Sequence, residues 1–180
     1  MNEEYEKSRE NLEKHIDWYS QNINDKNRNE ATTRLHLIDT LLFDCLGWNK
    51  KNDLILEQSE NGNYADYTLI ILNKARTLII EAKREGIYFE LPAGFEGLEY
   101  KLKTLCKDNK EIKNAIEQAM NYCQERGVPL GAVCNGHQIV CFVASRDDGI
   151  SPLKGNAVIF DSLFSHFLIY PYALQLTFCN

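Results

Sequence analysis

Residues 64–85 read YADYTLIILNKARTLIIEAKRE. Two runs rich in Ile and Leu, 64–72 and 77–83, are separated by a short polar stretch. They predict two strands joined by a hairpin-sized loop. Their apolar character is nearly continuous rather than alternating, which predicts a sheet covered on both faces. Acids flank the runs. Asp66 lies near the start of the first, and Glu81 and Lys83 lie at the end of the second. Residues two apart on a pleated strand share a face, so Glu81 and Lys83 point the same way. A loop of Asn73-Lys74 sets residue 66 opposite 81, and a loop of 73–76 sets it opposite 83. Either register brings Asp66 beside the Glu81/Lys83 face, because cross-strand neighbours lie about 5 Å apart.

The rest of the chain supplies helices and further strands. Residues 3–20 form a charged helix with a thin apolar stripe of Tyr5, Leu12, Ile16 and Tyr19. A polar connector leads to a second helix, about 30–46. Its expected N-cap is Asn29, its buried face Leu35, Ile38, Leu41, Leu42 and Cys45, and its stop Gly47. A short strand at 54–59 and a turn at 61–63 follow. Residues 84–109 have Gly and Pro at loop density, with a short helix expected within 98–110. A clearer helix covers about 109–126, with Ile112, Ile116, Ala119, Met120 and Cys123 on its core side and Gly127 as its cap. Two final strands, 128–134 and 137–145, meet at Asn135-Gly136, a strong two-residue hairpin signal. The order predicts an α/β fold with a central mixed sheet and helices on both faces.

Composition fits one domain of 180 residues, with 44% apolar and 26% charged residues. The start of the chain lacks the pattern of a secretory signal, and no segment approaches a membrane span. A cytoplasmic location is expected. None of the six cysteines forms a Cys-x-x-Cys pair, which argues against a zinc ribbon and for reduced, mostly buried thiols. A two-residue loop at Asn135-Gly136 would set Cys134 opposite His137 and Cys141 opposite Leu130. The net charge of −6 argues mildly against wholesale nucleic-acid binding, but not against a metal-dependent nuclease, whose site needs clustered acids. There is no Walker-type loop and no G-x-G-x-x-G, so nucleotide-driven chemistry is not expected.

Two carboxylates and a lysine at one sheet edge suggest a particular chemistry. Close carboxylates repel, and a divalent cation removes that penalty. Oxygen ligands suit Mg²⁺ or Mn²⁺, which bind phosphate oxygens and lower the pKa of water. Lys83 would orient the nucleophile or stabilise charge on the phosphate. Taken alone, the Glu-x-Lys triplet reads more readily as an exposed ion pair of Lys83 with Asp66 or Glu81.

The surrounding stretches resemble the PD-(D/E)XK nuclease superfamily, and most nearly the N-terminal nuclease domain of type I restriction enzyme motor subunits and related defence proteins. NEATTRLHLIDTLLFDCLGW (29–48) looks like that family's opening helix. YADYTL (64–69) and LIIEAKRE (78–85) match its acid-bearing strands, and QAMNYCQERGVPLGAVCNGHQIVCF (118–142) matches its later helix and hairpin. The resemblance covers most of 29–143. It implies a restriction-endonuclease-like fold over 29–160, flanked by a helical extension at 1–28 and an apolar tail at 161–180, with 86–110 as an insertion.

The resemblance also implies a function: a Mg²⁺- or Mn²⁺-dependent endonuclease acting on DNA in restriction or antiviral defence. Asp66 and Glu81 would be metal ligands, Lys83 the catalytic lysine and Glu30 an accessory acid and ligand. Gln118 would be a further catalytic residue, with Tyr122 and Arg34 as possible substrate contacts. Glu30 also suits a helix first turn and an ion pair with Arg34 without any catalytic role. Glu57 is a possible extra acid, though an exposed strand residue fits it better. Lysines 101, 103, 107 and 110 read either as a phosphate track or as a solvated helix face. His36 and His137 read as ordinary polar-edge residues, and Arg84 and Glu85 as solvent-facing. RNA is a possible substrate besides DNA. An ATPase or translocase partner, a homo-oligomer and a catalytically silent binding or assembly module all remain open.

Overall fold

The computed structural model describes residues 3–22, 28–55, 65–71, 75–91, 99–107, 109–146 and 148–162. The expected turn at 61–63, Glu57, Cys179 and the apolar tail from 163 lie outside these residues. The fold is α/β, built on one seven-stranded mixed sheet. Helix α1 (Glu3–Gln21) comes first. Helix α2 begins as an α-turn at Glu30–Thr33 and continues as π-helical stretches at Arg34–Ile38 and Thr40–Cys45. Strands β1 (Leu54–Ile55), β2 (Tyr67–Ile71), β3 (Ala75–Ala82) and β4 (Glu99–Lys101) precede helices α3 (Leu102–Leu105) and α4 (Lys110–Arg126). Strands β5 (Leu130–Cys134), β6 (Ile139–Val143) and β7 (Asn156–Phe160) complete the sheet. The strand order is β1-β2-β3-β5-β6-β7-β4.

Both faces of the sheet are covered. Leu78, Ile80 and Ala82 of β3 pack with Leu12 of α1 and Ile38, Leu41 and Leu42 of α2. Ile79, Val133 and Val140 pack on the other side with Ile112, Ile116 and Ala119 of α4. The alternation of β3 between two apolar layers explains its unbroken Leu-Ile-Ile run, since each fully buried side chain contributes about 1.5–3 kcal/mol.

Strands β3 and β5 are parallel, while every other pair is antiparallel. The connection between them carries β4, α3 and α4. The C-terminal ends of β3 and β5 therefore open at the same end of the sheet, where open α/β sheets place their ligands. Their pairing continues past the strands, as the Lys83 backbone N–H donates to the Cys134 carbonyl at 2.8 Å.

Several sequence expectations differ from the structure. Leu35 is 60% exposed, and Leu37 is buried in its place. In α2 the buried pairs Leu37-Ile38, Leu41-Leu42 and Cys45-Leu46 recur every four residues. The i→i+5 bonding of a π-helix widens each turn, as in the Asp39 N–H to Arg34 carbonyl bond, so the face drifts from the 3.6-residue pattern. The last hairpin is not a two-residue turn. Cys134 pairs with Ile139 and Cys141 with Ala132, leaving a four-residue loop, 135–138. The Asn135 carboxamide oxygen accepts the N–H groups of His137 (2.9 Å) and Gln138 (2.7 Å). This side chain closes the longer loop in place of the two-residue turn expected at Asn135-Gly136. The helix expected within 98–110 starts as strand β4, and β7 has no counterpart among the expected elements. The five described cysteines are free and buried, as reduced core thiols should be.

Candidate active site

Asp66 sits one residue before β2. Tyr67 pairs with Ile80, so at this end the strands follow the register that sets 66 opposite 81. At the other end Ile71 pairs with Ala75, one residue out of step, and the difference is absorbed by an irregularity after Leu69. The Asp66 carboxylate is well held. Oδ2 accepts the Ala82 backbone N–H at 2.8 Å, and Oδ1 accepts Arg34 Nη1 at 2.8 Å.

Glu81 is buried, with 3% of its surface exposed. Its Oε1 accepts from Lys83 Nζ at 2.5 Å. Its Oε2 is buried and has no hydrogen-bond partner. An unsatisfied buried charged oxygen costs several kcal/mol unless it is protonated or meets a cation. Burial accordingly pushes the Glu81 carboxyl up to about 7 against the pull of Lys83, and the charges of Asp66 and Glu30 push the same way. Glu30 stands in the exposed first turn of α2, close enough for its charge to reach Glu81. The site therefore gathers groups from both layers at the sheet end.

Helix α4 supplies the other wall. Gln118 Oε1 lies 3.4 Å from Lys83 Nζ, and Gln118 Nε2 donates to the Tyr122 hydroxyl at 3.0 Å. The two are one turn apart on a helix whose start and stop match the sequence. Asn109 caps the first turn, and Gly127 at φ 63° closes the last. Arg126 lies over the Tyr122 ring at 5.4 Å.

The carboxylate oxygens of Glu81 and Asp66 are of the kind that suits a hard divalent cation, and the partnerless Glu81 Oε2 could take part in holding one. Asp66 and Glu81 would be its ligands, with Glu30 in reserve. Among the described residues, no three His, Cys, Asp or Glu side chains are already drawn together in a metal-ligand group. Both Asp66 oxygens are engaged, Oδ1 by Arg34 and Oδ2 by the Ala82 N–H.

A second cluster was not legible in the sequence. Glu85, read as solvent-facing, is 6% exposed. It accepts from Tyr19 (2.6 Å), Arg28 Nη1 (2.6 Å) and His137 Nε2 (3.0 Å), and its backbone N–H donates to Thr33 Oγ1 (2.9 Å). Arg28 in turn lies over the rings of Trp18 and Tyr19. This hub ties α1, the start of α2 and the 135–138 loop to the chain two residues past Lys83. The only sequence signal was an acid following the Glu-x-Lys triplet at the same spacing. His36, by contrast, is exposed and stacks on Trp18. Lysines 101, 103, 107 and 110 are exposed.

Among the described residues no helix is long and apolar enough to cross a membrane. No family model, curated protein or solved structure matches the chain.

Proposed function

We propose that this chain is a divalent-cation-dependent endonuclease that hydrolyses phosphodiester bonds in DNA. The observation that carries this reading is the Glu81 carboxylate, with Oε1 on Lys83 and Oε2 buried without a partner. A purely structural ion pair at this depth would be expected to satisfy both oxygens.

Asp66 and Glu81 would hold Mg²⁺ or Mn²⁺, with Glu30 as an accessory acid. When bound, the cation neutralises charge on the phosphate and lowers the pKa of the attacking water. The protein's own groups do the rest. The Ala82 N–H and Arg34 orient the Asp66 carboxyl group. Lys83 places an ammonium beside Glu81, where charge builds on the phosphate. Gln118 steadies that ammonium, and Tyr122 fixes the Gln118 amide. On this reading the products carry 5′-phosphate and 3′-hydroxyl ends. The setting is cytoplasmic restriction or antiviral defence, with an ATPase or translocase contributed from elsewhere.

The test is cleavage of supercoiled and linear plasmid with Mg²⁺ or Mn²⁺. Lys83→Ala, Glu81→Ala and Asp66→Ala should each lose at least about 100-fold in rate with circular dichroism unchanged. Wild-type cleavage by Glu81→Ala would sink the assignment. One observation favours a second reading, a catalytically silent binding or assembly module: both Asp66 oxygens are already engaged. Calorimetric Mn²⁺ titration separates the two, because a silent module shows no binding that depends on Asp66 and Glu81.

A further inference from the structure

The chain leaves the candidate site through a turn whose backbone is held from several sides. The Lys83 N–H donates to the Cys134 carbonyl at 2.8 Å, and the Glu85 N–H donates to Thr33 Oγ1 at 2.9 Å. The Arg84 carbonyl accepts the Ile87 N–H at 3.3 Å, with Gly86 at φ 94° between them. The Ile87 carbonyl accepts Asn135 Nδ2 at 2.7 Å. Gln138 clamps Phe89, accepting its N–H at 2.7 Å and donating to its carbonyl at 3.1 Å. Thr33, Asn135 and Gln138 are all buried. Three buried polar side chains thus fix residues 83–89 against α2 and the hairpin loop. The Arg84 side chain points out of this rigid turn and is exposed. The other cations at this end of the sheet have carboxylate partners: Arg34 has Asp66, Lys83 has Glu81 and Arg28 has Glu85. Among the described residues, the Arg84 guanidinium has neither an ion pair nor a hydrogen bond. Its neighbour Glu85 does not offset it, because that carboxylate is committed to Arg28, Tyr19 and His137.

We propose that Arg84 binds a backbone phosphate of the DNA strand, next to the phosphate that is cut. The proposal rests on the nuclease reading and names a substrate contact for it. A guanidinium presents N–H donors in a fork that matches phosphate oxygens. Arg84 is free to make that contact without first giving up a carboxylate. Its ordered backbone also lowers the entropy cost of binding. Consecutive Cα atoms lie about 3.8 Å apart, so a strand held at Lys83 passes beside Arg84. A binding side chain displayed on a turn that a rigid scaffold positions is the usual arrangement for recognition. Such a contact positions the strand and reads no sequence.

The test is fluorescence anisotropy with a labelled blunt duplex in EDTA, which prevents cleavage, over a series of NaCl concentrations. Each phosphate contact contributes about 0.9 to the slope of log affinity against log salt. Arg84→Gln should lower the slope by about that amount and weaken binding by about tenfold at low salt. Arg84→Lys, which keeps the charge, should keep the slope. Lys51→Gln, at an exposed lysine in the turn before β1, is the control and should leave the slope unchanged. A full slope in Arg84→Gln, an equal fall in Lys51→Gln, or no duplex binding by wild type overturns the proposal. Plasmid cleavage with Mg²⁺ separates it from the reading it rests on. If wild type cuts and Arg84→Gln keeps the full slope, the contact falls and the nuclease stands. If Arg84→Gln lowers the slope but wild type shows no metal-dependent cleavage, the contact stands and the nuclease falls.

Discussion

Arg28 Nη1 lies 2.6 Å from Glu85 Oε2, with the two side chains 1% and 5% exposed. Fifty-seven residues separate them, and they lock the entry to α2 against the end of the central strand. Burial alone would raise the Glu85 carboxyl, but hydrogen bonds from Tyr19, Arg28 and His137 outweigh it and hold the carboxyl below its usual range. Breaking a buried pair strands a charge, which costs about 3–5 kcal/mol. Arg28→Ala and Glu85→Ala should each lose that much in urea unfolding. The sign with pH is also fixed. A lowered folded-state value means this contribution is complete above the ordinary carboxylate range and fades as pH falls through the lower folded value. The difference between wild type and Glu85→Ala should therefore narrow in acid. A difference constant down to strongly acidic pH would contradict it.

Glu81 has the opposite sign. Its carboxyl is raised by burial from 4.5 to about 7. Between those values the folded state binds the proton more tightly, so stability falls as pH rises through the window. The full penalty, about 3 kcal/mol, applies above pH 7. Glu81→Gln removes the charge but also its pairing with Lys83. It should gain about 1–3 kcal/mol at pH 8 and nothing near pH 4.5. Urea curves at both pH values check this, and a less stable variant at pH 8 would refute it.

Cation binding should show the same titration. The ligand form of Glu81 is the ionised one, and burial delays its ionisation until about pH 7. Mn²⁺ affinity should climb by up to about tenfold per unit below that value and flatten above it. Lys83 pulls the carboxyl down, so Lys83→Met should move the bend to higher pH. Calorimetry in buffers of different protonation enthalpy would also register the released proton. An affinity flat from pH 5 to 8 would exclude Glu81 as a titrating ligand.

Gly136 joins the hairpin loop to α2. Its φ is +88°, and a Cβ there would lie 2.7 Å from Leu37 Cβ. Gly136→Ala combines backbone strain with overpacking and should cost about 2–4 kcal/mol. Gly149, also at positive φ but with open space around it, serves as the control. Its alanine variant should cost only the strain. Equal losses at the two positions would show that the Leu37 contact is unimportant.

Local chemistry made much of the fold readable. Helix α4 was legible at both ends because Asn109 and Gly127 act on their own turn. The meeting of Asp66, Glu81 and Lys83 at one sheet end was legible because a short loop and a period of two leave few registers. The irregularity after Leu69 was not: Ile71 pairs with Ala75, which leaves three residues between the strands, a length that neither expected loop had. Strand β4 was hidden by its shortness, since three residues carry too little periodicity to stand out from a loop.

By itself the sequence determined the α/β class, the covered sheet and the placing of the Glu81-Ala82-Lys83 triplet at the end of a central strand. These follow from interactions within a few residues or across one turn. Only the tertiary structure decided that Glu81 keeps an oxygen without a partner, that Glu85 is buried on Arg28, and that Leu35 is exposed while Leu37 packs under the hairpin. Burial of a charge depends on which distant groups arrive to satisfy it. For Glu85 they come from residues 19, 28 and 137, and no local pattern encodes that meeting.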